Sequence, residues 1–302
     1  MIRSLFAKLW RLITAPFRLF AKPFVTIRNF IIHEPEDAPL ADVVARTFEN
    51  PSVLVEHIEA LRSHLLRSLA VLVLAIVVST AFAGRVLDWL TKPIGGIEAL
   101  QAIEVTESIG AFMRVTLLSG LVLALPYIGF ELFAFVNPGL RRRERVLLLT
   151  AIPAATVLFL MGIAFTYYVM LPVALPFLLN FLGIVTRVRP SNYIRFVTGV
   201  MFWIGIAFQF PLIIYTLAGL GVINARMLVN GWRFAVLGIA IVAAMVTPTV
   251  DPINMALVMA PMIVLYFLSI GLAAIAQRGR AQQSLGKERD TGMSRVQNDP
   301  TQ

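Results

Sequence analysis

The sequence predicts an all-α integral membrane protein with six transmembrane helices, both termini on the cytoplasmic side and the last two spans short. Three observations carry this reading. Of 302 residues, 58% are hydrophobic and only 14% charged, whereas soluble domains carry roughly a quarter charged residues. Apolar runs too long for core helices recur along the chain, and about 18 such residues suffice to cross a bilayer. Lys and Arg, finally, concentrate in alternate connecting segments, the pattern that marks the cytoplasmic side.

In chain order, residues 1–32 alternate bulky apolar groups (Leu5, Phe6, Leu9, Trp10, Phe17, Phe20, Phe24) with Arg3, Lys8, Arg11, Arg18, Lys22 and Arg28, and no acid precedes Glu34. Such a stretch reads as an amphipathic arm lying in the membrane interface, drawn there by anionic lipids. Pro16 and Pro23 break any single long helix, so the alternative is a basic arm without structure. Residues 33–55 form a polar, acidic linker. A six-span domain covers residues 56–276, and residues 277–302 read as a disordered cytoplasmic tail.

Six apolar runs are the candidate spans: Leu66–Ala83, Phe112–Phe135, Val146–Tyr168, Phe196–Tyr215, Phe234–Val246 and Ile253–Ala276. Alternate segments, with Arg67 at the mouth of the first run counted among them, place 20 Lys and Arg on one side against five on the other, with Arg114 inside the second run. Both ends and the Arg141–Arg145 loop are therefore expected in the cytoplasm. Pro93 and Asp251 mark external loops. The fifth run spans only about 20 Å of a hydrocarbon core near 30 Å thick, which calls for extended flanks or a thinner bilayer. The turn after it, Thr247-Pro248-Thr249-Val250-Asp251-Pro252, fits a tight external hairpin.

The chain has no cysteine and only three histidines, His33, His57 and His64. No HExxH set, phosphate-binding loop or GxSxG elbow occurs, so an enzyme is not expected, nor is a metal, another cofactor or a nucleic-acid partner. Three features stand out instead. Glu56-His57-Ile58-Glu59-Ala60-Leu61-Arg62-Ser63-His64-Leu65-Leu66-Arg67 is a charged amphipathic segment running into the first span; it reads as a cytoplasmic anchor or as a binding element. Asn137-Pro138-Gly139-Leu140-Arg141-Arg142-Arg143-Glu144-Arg145 closes the second span with turn chemistry and a basic run. Within the spans, Gln209, with Pro211 two residues on, and Glu131 require protein or water around them. They read as functional groups or, for Gln209, as interhelical hydrogen-bond glue worth about 1 kcal/mol.

At these motifs the chain resembles the TatC family, the multispan core subunit of the twin-arginine protein translocase, from about Glu56 to Ala276. The lead-in segment resembles the family's HLxELRxRL sequence. Phe130-Glu131-Leu132-Phe133-Ala134-Phe135-Val136-Asn137-Pro138-Gly139-Leu140, leading to Arg143-Glu144-Arg145, resembles its aromatic span end and first cytoplasmic loop. Phe208-Gln209-Phe210-Pro211 resembles its polar residue and proline in span four, and Thr247-Pro248 with Asp251 its last external turn. The chain departs from the pattern at Ala60, where a glutamate is usual and Glu59 lies one residue earlier. It departs also at His64 for arginine, at Glu131 for a common glutamine, and at Gln209, often a glutamate.

The resemblance implies a protein of the cytoplasmic membrane that exports folded cargo using the proton motive force. Its ligands would be signal peptides with two adjacent arginines, read by carboxylates able to accept paired hydrogen bonds. Glu144 comes first among these, with Glu59 or Glu56 second, beside Arg62 and Phe135. The implied partners are the single-span TatA and TatB subunits, packed near spans five and six and near Gln209, in an oligomeric assembly. The rival reading is a small-solute transporter with Glu131 and Gln209 lining a midplane site, whose hallmark would be an internal repeat with paired broken helices.

Overall fold

A computed structural model describes residues 51–137, 142–180, 187–247 and 252–297. The basic arm, residues 33–50 of the linker, Pro248 and Asp251 lie outside the described residues. Ten α-helices follow in order among those described: α1 Pro51–Thr80, α2 Ala83–Thr91, α3 Glu107–Val136, α4 Arg142–Phe165, α5 Leu171–Leu179, α6 Pro190–Ala207, α7 Phe210–Leu220, α8 Ala225–Asn230, α9 Trp232–Val246 and α10 Pro252–Gln297. Five stretches are long and apolar enough to cross a membrane, namely His57–Thr80, Glu107–Val136, Arg145–Leu179, Pro190–Leu220 and Met255–Gln277. The sixth candidate is α9, an apolar helix of 15 residues, or about 22 Å at 1.5 Å per residue.

Several boundaries differ from the sequence reading. The lead-in segment and the first span form one helix: Glu56, Glu59 and Arg62, spaced three apart, share a helical face, and the helix starts at Pro51, a residue suited to a first turn. The third span does not end at Tyr168. A π-turn over Thr166–Met170 carries it into α5, whose Pro172 follows directly and has no N–H to return to the preceding turn. Of the two final spans expected to be short, only α9 is; the apolar stretch of α10 has 23 residues. Beyond it the helix runs on to Gln297, where a disordered tail is expected. Ala, Gln, Leu, Lys, Glu and Arg dominate that extension, and all propagate a helix well.

The bundle is built around α6, whose Ile194, Val197, Val200 and Ile204 have no exposed surface. Close backbone approach needs small residues, since lipid offers no hydrophobic drive to hold helices together. A Cβ on Gly162 of α4 would lie 2.8 Å from the Gly205 Cα of α6. Likewise a Cβ on Gly120 of α3 would fall 2.7 Å from the Ile76 Cα of α1. Beside that crossing, the buried Ser79 hydroxyl donates to the Thr116 carbonyl at 2.7 Å. In contrast to α6, α1 buries little: Leu61, Leu65, Leu69, Val73 and Val77 are all exposed to where lipid would lie.

Candidate functional site

Two ends of the bundle gather polar side chains. At the end carrying residues 83–106, α2 lies across the span tips, and the carbonyls that a helix C-terminus leaves unpaired are all met. The Asp88 carbonyl accepts from the Thr91 hydroxyl, and the Thr91 carbonyl from the Gly96 amide. Tyr167, swung inward by the π-turn, donates to the Trp89 carbonyl at 2.8 Å and stacks on that indole at 3.7 Å. Tyr193 donates to the Leu90 carbonyl at 2.7 Å. Arg189 donates through Nε to Glu107 Oε1 at 2.7 Å and through a terminal nitrogen to Glu104 at 2.9 Å. Those two bonds, Glu107 first, hold the guanidinium above its ordinary pKa. Gln101 and Val188 share a backbone hydrogen bond of 2.9 Å, which completes the tie between the two loops. Pro93 is exposed in a 3₁₀ turn of this cap.

At the opposite, basic end the lead-in half of α1 lies antiparallel to the end of α3. The His57 ring packs 4.7 Å from that of Phe135, and His64 meets the same ring edge-on at 6.2 Å. One turn deeper, Glu131 is 4% exposed. The Tyr127 hydroxyl donates to its Oε1 at 2.6 Å, His64 Nδ1 lies 2.5 Å from Oε2, and an Arg67 nitrogen stands 4.0 Å from the same oxygen. Glu59 and Arg62 are exposed on the outer side of α1, whereas Ala60 is half-buried on the side toward His64. Glu59 therefore does not occupy the direction of residue 60. The backbones of Glu56 and Glu144 fall within α1 and α4; their side chains lie outside the described residues.

Gln209 sits at the break between α6 and α7. Pro211, in the first turn of α7, has no N–H to return to the Ala207 carbonyl, and the Gln209 amide donates to the Ala155 carbonyl of α4 at 2.8 Å. Glu131 and Gln209 thus bond to different helices and share no partner. Among the described residues no three His, Cys, Asp or Glu side chains gather to hold a metal.

The sequence reading groups Arg62 and Phe135 at the peptide-binding face and Glu131 with Gln209 as intramembrane polar groups; it does not single out His57 as a neighbour of Phe135, or His64 and Tyr127 as partners of Glu131. A signal existed for two of them. An acid buried in a span demands donors, and Tyr127 is four residues before Glu131, on the same helical face. His64 and Arg67, three apart, likewise share a face of α1.

Residues 56–261 match the family described as Sec-independent protein translocase protein (TatC). The chain is 34% identical over 220 residues to the Sec-independent protein translocase protein TatC of Synechocystis sp., covering 72% of this chain and 86% of the relative. It is 35% identical over 231 residues to the protein of the same name from Deinococcus radiodurans, covering 74% and 86%. A crystal structure of the twin arginine translocase receptor TatC superposes with a TM-score of 0.65 at 27% identity, covering 73% of this chain and 99% of the other. The chain is thus a multi-pass protein of the cytoplasmic membrane and a component of a protein translocase, not an enzyme. It belongs to the TatC family of Sec-independent protein translocase subunits.

Proposed function

We propose that this chain is the signal-peptide-binding core of a twin-arginine translocase, with the basic end as its recognition rim on the cytoplasmic side. One observation carries the reading: the two motifs of this end, more than 60 residues apart in sequence, meet at Phe135, where His57 packs at 4.7 Å. Their union leaves Glu59 and Arg62 exposed on one flank, and α4 brings Glu144 back within its first turn. Carboxylates on such a rim suit the planar guanidinium pair of a twin-arginine peptide. Exposed leucine and valine on α1 offer the peptide's apolar segment a face to lie along.

TatA and TatB would assemble beside α9 and α10, near Gln209, and the proton motive force would supply the work. The 15-residue α9 supports local bilayer thinning as part of passage. The basic arm would rest on anionic lipid, its binding weakening as salt rises. The deciding experiment is complementation of a strain lacking its own TatC, read with a twin-arginine reporter and with cross-linking from position 144 to the signal peptide. Export with that cross-link supports the reading; failure of both in a correctly inserted protein overturns it.

A further inference from the structure

The Glu131 carboxylate is served from two directions. Tyr127, on the same helix, occupies Oε1 at 2.6 Å, whereas among the described residues Oε2 is met only from α1, by His64 at 2.5 Å and Arg67 at 4.0 Å. With a 5% exposed side chain, the acid has no ready access to water as a substitute, and a buried acceptor stripped of its donor costs the full desolvation of that group. The contact therefore acts on α1 more strongly than its single hydrogen bond implies.

What it acts on is rotation. In lipid, an apolar helix turns about its axis at little cost, because every apolar face finds an equivalent solvent. Apolar side chains of α1 are exposed at Ile58, Leu61, Leu65, Leu66, Leu69, Val73, Leu74, Val77 and Val78, which together cover most of its circumference. The far half is fixed by the Gly120 crossing and by Ser79. Among the described residues no comparable glycine crossing occurs in the lead-in half; its inward face meets α3 through His57 on Phe135 and His64 on Glu131. A slip of one residue there would swing every side chain by about 100°, carrying Glu59 and Arg62 away from their present flank.

We propose that Glu131 is a positioning residue that sets the rotational phase of the lead-in helix through His64, and so fixes where Glu59 and Arg62 stand for peptide recognition. This rests on the signal-peptide reading above. The acid need not touch the peptide; it needs an acceptor at the reach of its Oε2.

The chain has no cysteine, so spin labels on Val55→Cys and Leu132→Cys, at positions 61% and 64% exposed, report the α1–α3 geometry of the full chain in nanodiscs without interference. The parent should give one narrow distance. Glu131→Leu should broaden it and weaken affinity for a synthetic twin-arginine signal peptide about tenfold, the scale of one lost charge-assisted bond. Glu131→Gln, which keeps an acceptor at the same reach, should restore the narrow distance and most of the affinity; a merely space-filling or charge-balancing role would not distinguish the two in this way. His64→Leu tests the same contact from its more exposed partner and should broaden the distance as Glu131→Leu does, which keeps the test open if the latter fails to fold. A narrow distance in both leucine variants, or a glutamine variant that behaves like leucine, overturns the proposal. A parent chain that binds no twin-arginine peptide overturns the signal-peptide reading instead, while the distances still report whether Glu131 sets α1.

Discussion

The two polar ends of this bundle spend their charges differently. At the capped end, Arg189 is committed to Glu104 and Glu107, two tyrosines are committed to the carbonyls of α2, and a backbone bridge closes the loops. At the basic end the deep layer is committed through Glu131, while Glu59 and Arg62 stand exposed without an ion-pair partner among the described residues. The ties of the capped end hold its shape, although Arg85, Asp88, Lys92 and Glu98 stand exposed there too. On the proposed reading, Glu59 and Arg62, exposed above a fixed base, are the groups left to meet a peptide.

That contrast can be broken by exchanging the effects of mutations. The largest expected effect is at Glu144: Glu144→Lys should abolish signal-peptide cross-linking and reporter export while the protein still inserts and melts normally, because an acceptor rather than a packing group is lost. Retained cross-linking would remove Glu144 from the rim. Next comes the capped end, where Arg189→Ala leaves the buried Glu107 carboxylate without its donor. Its melting temperature in detergent should fall while the affinity of the remaining folded protein for the peptide is unchanged; a selective loss of affinity would show that the cap is not merely structural.

Smaller effects sharpen the picture within the basic end. Ala60→Glu places an acid on the half-buried side, one turn from His64, and should raise peptide affinity more than Glu59→Ala lowers it. If neither changes binding, the segment is an anchor only. Smallest is Gln209→Leu. As glue to the Ala155 carbonyl, Gln209 should contribute about 1 kcal/mol to stability in detergent, with recruitment of the single-span partners unaffected. Unaltered stability with lost recruitment would instead make it a docking point.

Much of the architecture was legible because lipid imposes it. Apolar runs located the five stretches long enough to span and the shorter α9, whereas the α6–α7 break at Gln209 lies inside what reads as one continuous run. The extension of the third span through Thr166–Met170 was hidden, since a π-turn keeps the apolar composition and changes only the phase. The capped end was read as plain loop: nothing local in Tyr167 or Tyr193 shows that their hydroxyls reach carbonyls 78 and 103 residues away. At the site, the residue types were visible and their pairing was not. Whether His64 faces Glu131 depends on the rotation of two helices about their own axes, which a single sequence does not encode locally.

The Gly120 crossing has a mechanical consequence. Ile76 lies four residues from the end of α1 but 17 from Glu59, so the arms on either side measure about 6 Å and about 25 Å. Gly120 thus serves as a fulcrum close to one end of a rod that resists bending more than it resists twisting. A tilt that shifts Glu59 by about 4 Å moves the capped tip by only about 1 Å. Motion at the peptide-facing tip is strongly reduced by the time it reaches the far side, and a small push at the far side is multiplied where the peptide would bind.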